Sequence, residues 1–95
     1  MPIRIFHLEA RDPARMKLGA RGISVVEARQ LLRNRYETMR TPGSRRRGGN
    51  RVLLVGRTDG GRVLAFVVER TLDPNSWVIV TGWTASPHER KVLGR

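Results

Sequence analysis

The 95-residue sequence contains no cysteine, two histidines and five aromatic residues. Without cysteine, disulfide bonds and thiolate metal ligands are excluded, and two histidines are too few for the usual protein-built zinc site. We therefore expect neither a metal centre nor a cofactor. No apolar run approaches the roughly 20 residues that cross a bilayer, and the N-terminal segment lacks the basic and then apolar stretches of a secretory signal. We expect a cytoplasmic protein without a membrane partner.

Acidic residues are scarce as well. Eight Asp and Glu stand against 19 Lys and Arg, giving a net charge of +11, and 17 of the 19 cations are arginine. The planar arginine fork makes two-point contacts with phosphates and stacks on bases, so RNA or the ribosome is the expected partner. A genome biased towards arginine codons, or a surface that binds an acidic protein, would also explain the excess of positive over negative residues.

The length predicts a single domain over residues 1–95, organised around three strand-like runs at 52–57, 62–69 and 77–83. Asp59-Gly60, between the first two runs, predicts a two-residue type I′ hairpin. The middle run is apolar on both faces and should be the central strand. In the third run, alternation places Trp77, Ile79, Thr81 and Trp83 on one face. Weaker patterns at 2–8 and 36–40 predict short additional strands.

Helix-start chemistry occurs three times. Asp12-Pro13 predicts an N-cap and first position for a helix that ends near Gly22. Capping boxes beginning at Ser24 and at Ser86 predict a helix over 25–34 and a short C-terminal helix over 87–93. The expected fold class is therefore α+β, with two N-terminal helices packed on a three- to four-stranded antiparallel sheet and a short C-terminal helix.

A basic loop, residues 41–50, reads TPGSRRRGGN and predicts an exposed segment that packs no core. Arg45, Arg46 and Arg47 are either solvated loop residues or a phosphate clamp that becomes ordered on RNA.

Three short motifs, in this order and spacing, resemble the BrnT family of type II toxins, which have a RelE-like fold. They are Arg21-Gly22-Ile23-Ser24 with Glu27-Ala28, then Gly61-Arg62-Val63-Leu64, then the closing segment from Ala85 to Arg90. The resemblance covers roughly residues 12–93. It implies a metal-independent endoribonuclease that inhibits translation and is silenced by a cognate antitoxin, typically one with a ribbon-helix-helix DNA-binding part.

The chain departs from this family pattern at two places. Ala20-Arg21 stands where family members often carry Lys-His, and Trp83 stands where they commonly carry arginine in the last strand. Both departures remove groups that could serve directly in RNA cleavage. Trp83 could instead stack on a base, or simply pack half-buried on a helix.

The catalytic candidates are Arg62, His88, Glu89 and Arg90. Cleavage through the ribose 2′-OH needs a base, a cation for the charge at phosphorus, and an acid for the leaving oxygen. The arginines suit the cationic task, and histidine suits proton transfer near neutral pH. These candidates also have ordinary structural explanations. Arg62 can be held in an ion pair by Asp59 or Glu69, and helix capping can be the whole role of Glu89.

The nucleic-acid-binding candidates share positive charge or an aromatic ring: Lys17, Arg21, Arg45, Arg46, Arg47, Arg57 and Trp83. Two rival functions explain the same surface. One is an RNA- or ribosome-binding protein without chemistry, and the other is a module that receives a partner such as an antitoxin peptide. An enzyme should lose cleavage but keep RNA binding when Arg62 or His88 is replaced.

Overall fold

The computed structural model describes residues 4–41 and 50–94. The strands are β1 (His7–Ala10), β2 (Tyr36–Arg40), β3 (Arg51–Arg57), β4 (Val63–Arg70) and β5 (Ser76–Thr84). The helices are α1 (Asp12–Ala20), α2 (Val25–Arg33) and α3 (Pro87–Arg90), and a 3-10 turn (Lys91–Leu93) follows α3. The α+β class is confirmed. No helix within the described residues is long and apolar enough to cross a membrane.

The sheet has five described strands in the order β1-β5-β4-β3-β2. β4 is central, as its two apolar faces predicted. The prediction of an antiparallel sheet of three or four strands was wrong, because β1 joins the far edge and runs parallel to β5. The two helices that follow β1 carry the chain back across the sheet, so that β2 enters at the opposite edge. β1 has only four residues, and its alternation is correspondingly weak.

The β3–β4 hairpin differs from the predicted two-residue turn. The Thr58 N–H donates to the Arg62 carbonyl at 2.9 Å, and the Gly61 N–H donates to the Thr58 carbonyl at 3.0 Å. The loop therefore contains three residues, and the left-handed position falls on Gly61, whose φ is +89°. The prediction placed positive φ at Asp59-Gly60 and was wrong, because a neighbouring glycine allows the longer hairpin.

Strand β5 contains a bulge that moves its last residues to the other face. Val67 pairs with Thr81 while Val68 pairs with Ile79, which leaves Val80 as the extra residue. Trp77 and Ile79 consequently pack in the cluster beneath the helices, whereas Trp83 packs on the opposite side of the sheet. The prediction that these aromatic and apolar side chains share one face was therefore wrong.

Helix α1 begins one residue earlier than predicted. Its N-cap is Arg11, which makes no side-chain capping bond, and Asp12 lies in the first turn before Pro13. Its end was predicted correctly: Gly22 has φ +70°, and the Ile23 N–H reaches the Leu18 carbonyl at 2.9 Å. With the Gly22 N–H bonded to Gly19, this is a Schellman motif that turns the chain into α2.

Both predicted capping boxes are present. The Ser24 hydroxyl accepts from the Glu27 N–H at 3.1 Å, and the Glu27 carboxylate accepts from the Ser24 N–H at 3.1 Å. Ser86 and Glu89 repeat the arrangement at the start of α3. These reciprocal bonds satisfy helix-start donors that have no intrahelical partner.

Two apolar clusters cover the two faces of the sheet. Helices α1 and α2 bury one face with Leu18, Ala28 and Leu31, which pack around the fully buried Phe66. The second face has a smaller buried cluster, in which Leu93 of the 3-10 turn joins side chains from β3 and β4. Thus α3 and the 3-10 turn cover one end of the face that α1 and α2 leave open.

Candidate nucleic-acid interface

Most of the predicted site residues that the structure describes lie at one end of the sheet. The pairing of Thr84 with Leu64 and of Tyr36 with Gly56 brings the end of β5, the β3–β4 turn and the start of β2 together. The α1–α2 turn and α3 lie at this same end. We call it the basic end and define it by its described cations: Arg21, Arg33, Arg35, Arg57, Arg62, Arg90 and Lys91. Four described carboxylates, Glu27, Glu37, Asp59 and Glu89, leave an excess of three positive charges there.

The basic end contains a cleft between the end of β3 and the outer side of α3. It is lined by Arg57, Pro87, Arg90, Lys91 and Gly94, and we call it the basic cleft. Residues 87, 90, 91 and 94 have helical spacing and therefore share one side of the C-terminal segment. Arg57 and Arg90, which were predicted from unrelated stretches of sequence, thus line one cleft.

The cations of the basic cleft have no acidic partners in the described chain. Its three ion pairs join Arg33 to Asp59, Arg51 to Glu69 and Arg62 to Glu27. Arg57, Arg90 and Lys91 take part in none of them. An anion entering the cleft would therefore displace no salt bridge of the described protein, and it would reduce the repulsion among three neighbouring positive charges.

Arg62 makes its contacts outside the basic cleft. Its guanidinium donates to the Glu27 carboxylate at 2.8 Å and to the Gly22 carbonyl at 3.2 Å, so it ties the β3–β4 turn to the α1–α2 turn. The expected partners, Asp59 and Glu69, bind Arg33 and Arg51 instead. Arg62 is not among the residues lining the basic cleft.

Replacing Arg62 by alanine should affect stability slightly and RNA affinity very little. The Arg62 side chain is 42% exposed, and partly exposed ion pairs of this kind contribute about 0.2 to 1 kcal/mol. Chemical unfolding and RNA titration of the Arg62→Ala variant measure the two effects separately. A loss of affinity as large as that of Arg57→Ala would show that Arg62 contacts RNA and would contradict this assignment.

Glu89 is also held by other residues. Its Oε1 accepts from the Ser86 N–H at 2.8 Å and from Trp83 Nε1 at 3.0 Å, and its Oε2 lies 3.2 Å from the same indole nitrogen. The sequence predicted the capping role but missed the bond to Trp83. The neighbouring His88 is exposed and has no hydrogen-bond partner within the described residues.

Arg21 reaches the edge of β5 beside Trp83. It donates to Thr81 Oγ1 at 3.0 Å and to the Gly82 carbonyl at 2.8 Å. Lys17 lies elsewhere, in a groove of mixed charge with Glu9, Glu69 and Asp73 among its lining residues. Arg45, Arg46 and Arg47, with most of the predicted 41–50 loop, lie outside the described residues.

Sequence reasoning missed Lys91. The available signal was its position four residues after Pro87, which places it, like Arg90 at three residues after, on the Pro87 side of the helix. Residues 4–41 and 50–94 contain no group of three His, Asp or Glu side chains that could hold a metal ion.

Compared with known proteins, the chain matches no family model, no curated protein and no solved structure. The resemblance to BrnT toxins therefore stays a prediction from the sequence motifs.

Proposed function

We propose that this protein binds RNA, with neighbouring backbone phosphates of the strand received in the basic cleft, one by each of its cations, Arg57 on one side and Arg90 and Lys91 on the other. The observation that carries this proposal is that these three cations converge without a carboxylate partner in the described chain. Arginine forks suit the phosphate group geometrically, and a net charge of +11 favours encounter with a polyanion.

The biological setting that we propose is that of a RelE-like type II toxin, as the BrnT resemblance implies. In that setting the protein inhibits translation, and a cognate antitoxin, typically with a ribbon-helix-helix part, silences it. The architecture supports the proposal at a coarse level, because two N-terminal helices cover one sheet face while a basic C-terminal segment lies at the other.

RNA cleavage is the second candidate function, and the position of His88 favours it. His88 is exposed and lies in sequence between Pro87 and Arg90, which line the basic cleft, but it is not itself a lining residue, so cleavage requires a strand that extends beyond the cleft to bring a ribose to it. Arg57 and Arg90 would then stabilise the charge that develops at phosphorus. Glu89 is the weaker base candidate, because its oxygens already accept from Ser86 and Trp83. Binding therefore has stronger geometric support than cleavage.

One experiment distinguishes the two candidates. Purified protein is titrated into a defined RNA with chelator and no added metal, at several salt concentrations, and the RNA is then run on a denaturing gel. Binding through three phosphate contacts predicts that log affinity falls with log salt with a slope of about −2, from roughly −0.7 per contact on a single strand. Products that form with the wild type and disappear with His88→Ala would establish cleavage.

Two further outcomes decide the remaining possibilities. Intact RNA that binds with the expected slope supports the binding function, and cleavage that appears only when ribosomes are added supports a ribosome-dependent toxin. Affinity that is weak at low salt and insensitive to salt would contradict the proposal of an RNA-binding cleft.

A further inference from the structure

The two tryptophans of β5 lie in opposite environments. Trp77 is 3% exposed beneath the helices, and its Nε1 is buried without a hydrogen-bond partner in the described chain. Trp83 is half-buried on the other face, and its Nε1 donates to the Glu89 carboxylate. Trp77 is thus a core residue on one side of the sheet. Trp83, on the other side, has a partly accessible ring that is held by a hydrogen bond.

The anchoring of Trp83 has a definite geometry. Glu89 presents both carboxylate oxygens to Nε1, at 3.0 and 3.2 Å, and the backbone N–H of Ser86, which donates to Oε1 at 2.8 Å, holds the same carboxylate at the first turn of α3. A side chain held at its far end in this way loses most of its freedom to rotate before any ligand arrives. Less entropy is then lost when a flat ligand is ordered against the ring.

The surroundings of Trp83 suit a nucleobase. Ala65 stands directly opposite it in the register, so the cross-strand neighbour is small. The Arg21 guanidinium is bonded to the carbonyl of Gly82, the residue before Trp83, and so supplies a cation on the same stretch of β5 for the backbone of a bound strand. An aromatic side chain flanked by arginine is the combination with which single-stranded nucleic acids are commonly held.

We propose that Trp83 is a stacking platform for an unpaired nucleobase, with Glu89 as its positioning residue, and that the ligand of the basic end is therefore single-stranded RNA. This inference rests on the proposed RNA-binding function. The bases of an A-form duplex are stacked on one another and inaccessible to a ring, whereas those of loops and single strands can stack on an aromatic side chain.

Fluorescence of single-tryptophan variants tests the platform directly. Trp77→Phe leaves Trp83 as the only tryptophan, and Trp83→Phe leaves Trp77 as the matched control on the same strand. The first should be quenched when a single-stranded RNA is added, and the second should be unaffected. Trp77→Phe should fold, since the substitution removes a buried N–H without a partner. Subtracting the Trp83→Phe signal from that of the wild type gives the same information.

The RNA affinities should also favour single strands over duplexes. Single-stranded RNA should bind more tightly than a duplex of the same sequence by roughly 5- to 150-fold, the range expected for one stacked base. Trp83→Leu should remove that preference while leaving the salt slope unchanged, because stacking releases no counterions.

Glu89 is tested by comparing three variants. Glu89→Gln retains an amide oxygen that can accept from both Trp83 and Ser86, so it should keep the quenching and the single-strand preference. Glu89→Ala should lose both the fluorescence quenching and the preference for single-stranded RNA. Trp83→Leu should likewise lose that preference. Ser86→Ala, the control, removes the hydroxyl that accepts from the Glu89 N–H at 3.2 Å, while the Glu89–Trp83 bond remains, and it should behave as wild type in RNA binding.

Equal affinity for single strand and duplex, with Trp83 fluorescence unchanged, would overturn the platform while leaving phosphate binding in the cleft intact. Loss of preference in Ser86→Ala equal to that in Glu89→Ala would overturn the positioning role of Glu89. Absence of salt-dependent binding to either RNA would instead overturn the proposed function itself.

Discussion

Replacing Arg57 and Arg90 together by alanine is expected to lower RNA affinity about 100-fold at moderate salt. A hydrogen bond to a charged group is worth about 1.5 kcal/mol at the lower end of measured values, which is about tenfold for each arginine. The salt slope should become shallower by about 1.4, because each lost phosphate contact removes about 0.7. RNA titration at three or more salt concentrations measures both quantities.

The matched control is a second double variant, Arg15→Ala with Arg29→Ala. It removes the same charge from α1 and α2, where these side chains donate to the carbonyls of Ala10 and Leu8 and contact no carboxylate in the described chain. An equal loss of affinity in both double variants would mean that RNA responds to net charge alone, which would contradict a site at the basic cleft.

The Arg57 and Arg90 variant should remain folded. Arg90 is exposed and Arg57 is half-buried, and neither makes an ion pair within the described residues. Surface substitutions of this kind usually change the free energy of unfolding by about 0.5 kcal/mol or less. A much larger change would show that Arg57 supports the sheet, and the loss of RNA affinity could then no longer be attributed to the cleft.

Local chemistry predicted those parts of the fold whose partners are close in sequence. The Ser24 and Ser86 capping boxes and the glycine end of α1 each depend on residues at most five positions apart, and all three formed as predicted. The central position of β4 was also predictable, because only a strand covered on both faces can be apolar on both. These features need no knowledge of the rest of the chain.

The features that were missed depend on distant partners. A short strand was predicted at 2–8, but the strand lies at His7–Ala10 and runs parallel to β5, almost 70 residues later, and the four-residue pattern does not indicate that partner. The bulge at Val80 is a property of how β5 pairs with β4. A bulge changes the face of every later residue in the strand, which is why Trp83 was assigned to the wrong side.

In the candidate site, too, the local features were predicted from sequence and the tertiary contacts were not. The capping roles of Glu27 and Glu89 were predicted from sequence, but each has a second bond, to Arg62 and to Trp83, that is made by tertiary packing. Arg57 and Arg90 were predicted separately as basic residues. They share a cleft only because the C-terminal segment crosses back over the sheet and its 3-10 turn contacts β2 and β3.

Adding a methyl group at Gly82 is expected to destabilise the fold by about 1 to 3 kcal/mol, the usual cost of overpacking a core. An ideal Cβ there would lie 2.5 Å from Phe66 Cδ1, closer than side-chain atoms approach, and in a tight contact of 3.0 Å with Leu18 Cδ2. Gly82 does not have a positive φ, so the cost is steric. Gly19→Ala is the control, because its Cβ would meet nothing within 4 Å, and in a helix alanine is favoured over glycine by about 1 kcal/mol.

The Gly82→Ala effect should depend on Phe66. In a Phe66→Leu background the ring atoms nearest the new methyl are absent, so adding the methyl should cost less than it does in the wild type. Chemical unfolding of the four proteins in this double-mutant cycle gives the coupling energy. Equal costs in both backgrounds would contradict the packing of Phe66 against Gly82.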